Sequence, residues 1–119
     1  MIEFTVPGRP RAKQRPRKGK HGNMYTPPET KEYERMVAWY ALQAMQGQRK
    51  LTGPTGVEIK LYFKNKKMPD IDNCAKAIMD GMLNVAYEDD RQVRELMISR
   101  HQDKNERAEV RVWEADRRG

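Results

Sequence analysis

Residues 57–63, VEIKLYF, restrict the possible folds more than any other stretch of this sequence. Four apolar side chains alternate there with polar or amphipathic ones: Val57, Ile59, Leu61 and Phe63. A period of two predicts a β-strand that buries one face. Residues 2–6, IEFTV, repeat the pattern on a shorter scale. A fold built from this chain therefore needs a sheet with at least one covered face.

Two segments have the periodicity of helices that could cover it. The sequence TPPE at residues 26–29 offers a capping hydroxyl, a proline at the first helical position and a glutamate three residues after the cap, which predicts a helix start. Its apolar stripe comprises Tyr33, Met36, Val37, Tyr40, Ala41, Ala44 and Met45, and Gly47 marks its end. A second helical pattern runs from residue 71 to about 83, with Ala75, Ile78, Met79 and Met82 on one side.

The last third of the chain predicts two more strands. Residues 93–100 and 108–114 alternate as strands do, and the intervening DKNER predicts a hairpin between them. The order β-α-β-α-β-β indicates a small mixed sheet of about four strands with two helices packed on it, an α/β (α+β) fold of two layers. With 119 residues, the chain has room for one modest core, so we expect a single domain over 1–119.

The positive charge of the chain is concentrated in one segment, residues 9–20, RPRAKQRPRKGK, here called the basic arm. It holds seven of the 24 cations and no acid, so the remaining residues carry 17 cations against 17 acids. A solvated, disordered tail is one interpretation. Because a predicted strand and helix hold both ends and prolines stiffen it, we favour a contact with a phosphate backbone. The candidate DNA-binding residues are Lys13, Arg15, Arg17, Lys18 and Lys20.

Other classes of function receive less support from the sequence. No apolar run approaches the roughly 18 residues of a membrane span, and the amino terminus does not resemble a signal peptide, so we expect a cytoplasmic protein without a membrane partner. A single cysteine, Cys74, excludes an internal disulfide and a thiolate-rich metal site.

Acidic residues form a second concentration of charge, in PDIDNCAKAIMDG at 69–81 and YEDDRQV at 87–93. Asp72, Lys76 and Asp80 are spaced i, i+4, i+8, and a strand after the helix would bring Asp90 back towards the helix start. Two carboxylates about 4 Å apart repel by roughly 4 kcal/mol at an effective dielectric of 20. They must therefore diverge or share a cation. Oxygen ligands select a hard ion such as Mg²⁺, with Mn²⁺ as a substitute, and that ion suits phosphodiester hydrolysis beside Lys76.

Three alternatives compete with a metal-dependent nuclease. The acids could simply favour a helix N-terminus, with Asp72 as the cap and Lys76 as its i+4 partner, in a DNA-binding module that lacks catalysis. A phosphatase with a D-x-D nucleophile is a further alternative, although the chain is short for it. A calcium loop does not fit, because Ala75 and Gly81 replace the required glycine and bidentate glutamate.

The motifs DIDNCAKAIMDGMLN and EDDRQV, together with VPGRPRAKQRPR and YTPPETKEYE near the amino terminus, resemble the RusA family of Holliday junction resolvases. The resemblance implies a homodimeric, Mg²⁺-dependent endonuclease that resolves four-way DNA junctions by paired symmetrical nicks, has no small-molecule substrate and is often encoded in prophages. Matched by position, it implies metal-binding aspartates at Asp70, Asp72 and Asp90 and an essential lysine at Lys76. Asp80 and Asp89 also match, as supporting residues.

Overall fold

The computed structural model describes residues 1–115 of the chain. The main sheet contains four strands, and two helices and a short hairpin complete the secondary structure. In chain order the elements are β1 (Ile2–Pro7), β2 (Arg17–Lys18), β3 (Met24–Tyr25), α1 (Pro28–Met45), β4 (Thr55–Phe63), α2 (Ile71–Met82), a 3₁₀ turn (Asp90–Gln92), β5 (Val93–Gln102) and β6 (Arg107–Glu114).

The sheet has the strand order β1-β6-β4-β5. Strand β4 pairs in parallel with β5 and antiparallel with β6, and β6 pairs antiparallel with β1. Segment β4-α2-β5 is therefore a βαβ unit, in which the helix makes the crossover that parallel neighbours require. The mixed four-stranded sheet expected from the sequence is confirmed.

The expected hairpin between β5 and β6 is wrong, because β4 lies between these two strands. The connection at 103–106 crosses the end of β4, where the Asp103 N–H donates to the carbonyl of Phe63 at 2.9 Å. Burial explains the order. Strand β6 buries every second residue, whereas most of β5 is exposed, including Leu96 and Met97. The strand with a strong apolar face takes the interior of the sheet, and β5 takes the edge.

One hydrophobic core lies between the sheet and the two helices. The alternating apolar residues of β1 and β4 and the stripe of α1 are buried in it, as the periodicity predicts. Both helices cover the same face of the sheet, which gives the expected two layers. The helices approach each other closely at Gly81, where an added Cβ would lie 2.7 Å from the Cβ of Val37.

The start of α1 differs from the expectation. The helix begins at Pro28, Pro27 is the N-cap, and no side chain caps it. Thr26 therefore does not act as the capping residue. Two prolines explain why the hydroxyl is dispensable, because neither has an N–H that needs a partner.

The end of the arm and the residues that follow it contain structure that the sequence analysis missed. Strands β2 and β3 pair as an antiparallel hairpin of two residues each, too short to show a period. Within residues 1–115, no helix is both long and apolar enough to cross a membrane.

Candidate active site

A cavity of about 320 Å³ brings together charged residues from two separate segments. Helix α2 contributes Asp72, Lys76 and Asp80, and the 3₁₀ turn contributes Asp90. Side chains from β5 complete the wall next to them. The i, i+4, i+8 spacing thus places three charged side chains along one face of α2, and the return of the chain to β5 brings Asp90 to the same face.

The start of α2 leaves two carboxylates free of a capping role. Asp70 is the N-cap, but its side chain accepts no hydrogen bond from the helix. Asp72 lies inside the first turn, and among residues 1–115 its carboxylate accepts only from the N–H of Asn73, at 2.9 Å. The interpretation of Asp72 as the helix cap is therefore wrong. A capping residue precedes the first helical residue, whereas Asp72 is the second residue of α2.

A dense set of local hydrogen bonds fixes the turn that carries Asp90. The Asp89 carboxylate accepts from the backbone N–H of Arg91 at 2.9 Å and pairs with its guanidinium, which lowers the pKa of Asp89. Asp89 also belongs to a capping box with Gln92. Asp89, which the family resemblance implies as a supporting residue, thus stabilises the turn beside the cavity.

Gln92 joins this turn to the loop that precedes β4. Its amide oxygen accepts from the N–H groups of Glu88 and Asp89, at 2.9 and 2.8 Å. Its amide nitrogen donates to the carbonyls of Leu51 and Gly53, at 2.9 and 3.0 Å. All four hydrogen-bonding positions of the amide are therefore used, and the sequence pattern gave no sign of this role.

We expect Gln92→Glu to lower the free energy of unfolding by about 2 to 3 kcal/mol, because a carboxylate cannot donate to the two carbonyls and leaves them unsatisfied. Urea denaturation measures the change. The matched control is Gln102→Glu, which loses a single 3.3 Å bond to the Lys64 carbonyl at an exposed strand end and should cost less than about 1 kcal/mol. Equal losses in the two variants would contradict the structural role of Gln92.

Lys13 connects the basic arm to the acidic cavity. Its ammonium group bonds to the Asp80 carboxylate and lies 3.8 Å from Glu34 of α1. The hydrogen bond to Asp80 raises the pKa of Lys13, and burial raises the pKa of Glu34. Asp90 also raises the pKa of Lys13 through its charge. Lys13 thus supplies part of the counter-charge that the clustered carboxylates need.

The acidic side chains of the cavity are of the type that binds a divalent metal ion, but they do not lie close enough together to form a complete ligand set. All acidic groups of the cavity are carboxylates, the donors that Mg²⁺ and Mn²⁺ favour. Within residues 1–115, however, no three acidic, histidine or cysteine side chains stand close enough together to hold an ion. Asp72 and Asp90 line the same cavity, whereas Asp70 does not. Of the three metal ligands predicted from the sequence, two therefore line one cavity in the structure.

The first half of the arm, residues 9–14, passes the start of α2 and is bonded to the rest of the fold. The Lys13 N–H donates to the Asn73 carbonyl at 3.0 Å, and the N–H of Gln14 donates to the Thr30 hydroxyl at 3.2 Å. Arg9 pairs with Glu106 at 2.7 Å. These contacts do not fit the interpretation of the arm as a disordered tail.

The contacts also divide the candidate DNA-binding residues into two groups. Lys13 is engaged at the cavity, and Arg17 bonds to Gln14 and lies 3.9 Å from Glu29. Arg15, Lys18 and Lys20 are exposed, and none has an ion-pair partner within the described part of the chain.

Comparison with known proteins agrees with this geometry. The model of the family described as endodeoxyribonuclease RusA matches residues 7–113, which include the basic arm, α2 and the Asp90 turn. The chain is also 31% identical, over an alignment 137 positions long, to the uncharacterised protein YqaN of Bacillus subtilis (strain 168), with 95% of this chain and 96% of that protein covered. The match covers most of the fold and the whole acidic cavity, so the chain belongs to the RusA family of endodeoxyribonucleases, the hydrolases that resolve Holliday junctions.

Proposed function

We propose that this protein is a Mg²⁺-dependent endonuclease that cuts four-way DNA junctions by paired, symmetrical nicks. The observation that carries the proposal is the shared cavity, in which Asp72, Lys76 and Asp80 of α2 meet Asp90 of the 3₁₀ turn that follows the helix. Carboxylates and a lysine at one opening are the groups that phosphodiester hydrolysis requires. The basic arm beside them supplies a surface for the DNA backbone.

Each side chain has a proposed role in the reaction. Asp72 and Asp90 hold the ion, and Asp70, whose carboxylate has no partner within residues 1–115, is the proposed third ligand. The bound ion supplies a polarised water and stabilises negative charge on the phosphate. Lys76 lies at the cavity without an ion-pair partner among the described residues and orients the scissile phosphate by its charge. Asp80 keeps Lys13, and with it the arm, against the helix.

Paired nicks on opposed strands require two sites, and the described part of one chain contributes one cavity of this kind. We therefore propose a twofold homodimer in which 1–119 acts as a single domain. Its substrate is cellular or prophage DNA, so the proposed compartment is the cytoplasm. Sedimentation equilibrium of the protein with and without a junction tests the dimer, and a monomer in both conditions would contradict it.

The decisive experiment uses a synthetic, mobile four-way junction with a different label on each strand. We expect nicks at symmetrical positions on one pair of opposed strands in Mg²⁺ or Mn²⁺, and none in EDTA. Nicks at unrelated positions would exclude paired resolution. Binding without cleavage in both metals would favour the alternative from the sequence analysis, a DNA-binding module that lacks catalysis.

Replacing Lys76 tests its proposed charge on the phosphate. We expect Lys76→Met to lower the single-turnover cleavage rate by about a hundredfold, because one preorganised electrostatic contact contributes a factor of about 10² to 10³. Junction affinity in EDTA should change by less than about threefold. The control, Lys50→Met, removes an exposed lysine outside the cavity and should cleave normally. If Lys76→Met cleaved the junction at the normal rate, Lys76 would have no role in catalysis.

A further inference from the structure

A second and larger cavity, of about 740 Å³, lies beneath the basic arm. Its walls are residues 7–14, which join β1 to the arm and begin the arm, helix α1, and the short segment 67–69 that leads into Asp70. Because Lys13 lines it and also bonds to Asp80, the two cavities adjoin each other across the arm. Its volume falls in the range of roughly 300 to 1,000 Å³ that is typical of small-molecule sites.

The lining of this cavity is strongly cationic. It contains Arg9, Arg11, Lys13 and Lys67 and no acidic residue. Arg9 and Lys13 are occupied by ion pairs with Glu106 and Asp80. The side chains of Arg11 and Lys67 have no ion-pair partner within residues 1–115, so these two charges are available to an anion.

The inner wall of the cavity combines apolar contact with one unsatisfied polar atom. Met36 and Met68 supply thioether side chains, which adapt well to aromatic rings. Tyr33 also lines the cavity; it is only 3% exposed, and its hydroxyl has no hydrogen-bond partner among the described residues. A buried hydroxyl without a hydrogen-bond partner lowers the stability of the fold by about 1 to 3 kcal/mol, and the hydroxyl of a buried tyrosine usually has such a partner.

We propose that this cavity receives one unpaired nucleotide of the junction strand beside the scissile bond, with its phosphate on Arg11 and Lys67 and its base against Met36 and hydrogen-bonded to Tyr33. Inorganic phosphate alone would leave the apolar wall and the hydroxyl unused, whereas a nucleotide meets both. The inference rests on the proposed action on junctions and adds a site that reads one base. In this way the cavity sets the preference for sequence at the cut.

The energetics favour a nucleotide at the branch point over one inside a duplex. Unstacking and unpairing a base costs a few kcal/mol, and the cost is least where the base is already unpaired. Contact between a thioether and an aromatic ring returns about 0.3 to 1.5 kcal/mol. A single hydrogen bond to the base contributes about 0.5 to 1.5 kcal/mol. The cavity therefore gains most from a nucleotide at the crossover.

Methionine methyl NMR gives a direct test that does not depend on cleavage. The probe is an uncleaved four-way junction in EDTA with ¹³C-methyl-methionine protein; Met36 and Met68 report on the cavity and exposed Met97 of β5 is the control. We expect ring-current shifts at Met36 and Met68 and little change at Met97. Binding with no shift at either cavity methionine would overturn the proposal.

Tyr33→Phe tests the base contact specifically. We expect a roughly tenfold weaker preference among junctions that differ in the base next to the cut, with the largest loss on the junction that the wild-type protein prefers. Tyr40→Phe, seven residues further along α1 and outside the cavity, should keep the full preference. An unchanged preference in Tyr33→Phe would overturn the role of the hydroxyl.

The two measurements separate this inference from the proposed function. If wild-type protein shifts Met36 and Met68 on binding but never cuts in Mg²⁺ or Mn²⁺, the nucleotide site stands and the nuclease proposal fails. If the protein cuts the junction while both methionines remain unshifted in the bound complex, the nuclease stands and the nucleotide site fails.

Discussion

Asp72→Asn should abolish metal-dependent junction cleavage, with a loss of at least about a thousandfold, while the protein still binds the junction. The expected size follows from two functions of the ion, activation of water and stabilisation of charge, which each contribute several kcal/mol. Asparagine keeps the shape of the side chain and removes its charge. Single-turnover cleavage in Mg²⁺ and binding in EDTA, measured on the same junction, check both halves of the result.

Asp90→Asn should behave in the same way, because Asp90 lines the same cavity from a different segment. The control is Glu88→Gln, which removes one negative charge two residues away, from an exposed side chain outside the cavity. It should retain cleavage within about threefold. If all three variants lost activity equally, general charge near the DNA would explain the loss better than a metal site. Normal cleavage by Asp72→Asn would end the proposal.

Asp70→Asn answers a narrower question. Asp70 belongs to the ligand set that the family resemblance implies, but it does not line the cavity that contains Asp72 and Asp90. A thousandfold loss in Asp70→Asn would indicate that its carboxylate joins the others when the ion and the DNA are bound. Near-normal activity would restrict the ligand set to the cavity residues. Either result leaves the tests of Asp72 and Asp90 intact.

The sequence predicted best what local patterns control. Alternation in β1 and β4 and the stripe of α1 identified most of the core, because a strand or helix with one apolar face has a single favourable orientation. The spacing of Asp72, Lys76 and Asp80 predicted a shared helix face for the same reason. These features need no knowledge of distant partners.

The order of the strands could not be predicted in this way. Strands β5 and β6 are neighbours in sequence, and a short polar connection usually joins paired strands. Here β4 lies between them and pairs with both, in parallel with β5 and antiparallel with β6. The weak apolar pattern of β5 indicated an edge position but did not identify the strand beside it.

The contacts that position the site were also beyond sequence reasoning. Lys13 meets Asp80 across 67 residues of chain, and Gln92 meets Leu51 across 41. Neither pair has a characteristic spacing, because each depends on how the arm and the loops pack on the finished fold. An isolated glutamine or lysine in a polar segment looks like any other surface residue.

The second large effect concerns salt. Junction affinity in EDTA should fall roughly ten-thousandfold between 50 and 200 mM monovalent salt. Four cations of the arm have no ion-pair partner in the described structure, namely Arg11, Arg15, Lys18 and Lys20. A twofold dimer presents eight of them, and the slope of log affinity against log salt is about −0.9 per neutralised phosphate, or about −7 in total. Fluorescence anisotropy over a salt series measures the slope.

The slope also separates the oligomeric states and locates the contact. One arm alone would give a slope near −3.6 and a loss of only about 150-fold over the same range. Changing Lys18 and Lys20 together to glutamine should halve the dimer's slope, because it removes half of the unpaired charges of each arm. Lys60→Gln removes a cation from the sheet face opposite the helices and should leave the slope unchanged. A steep slope that survived the double change would place the main DNA contact outside the arm, even though the arm carries the whole excess charge of the chain.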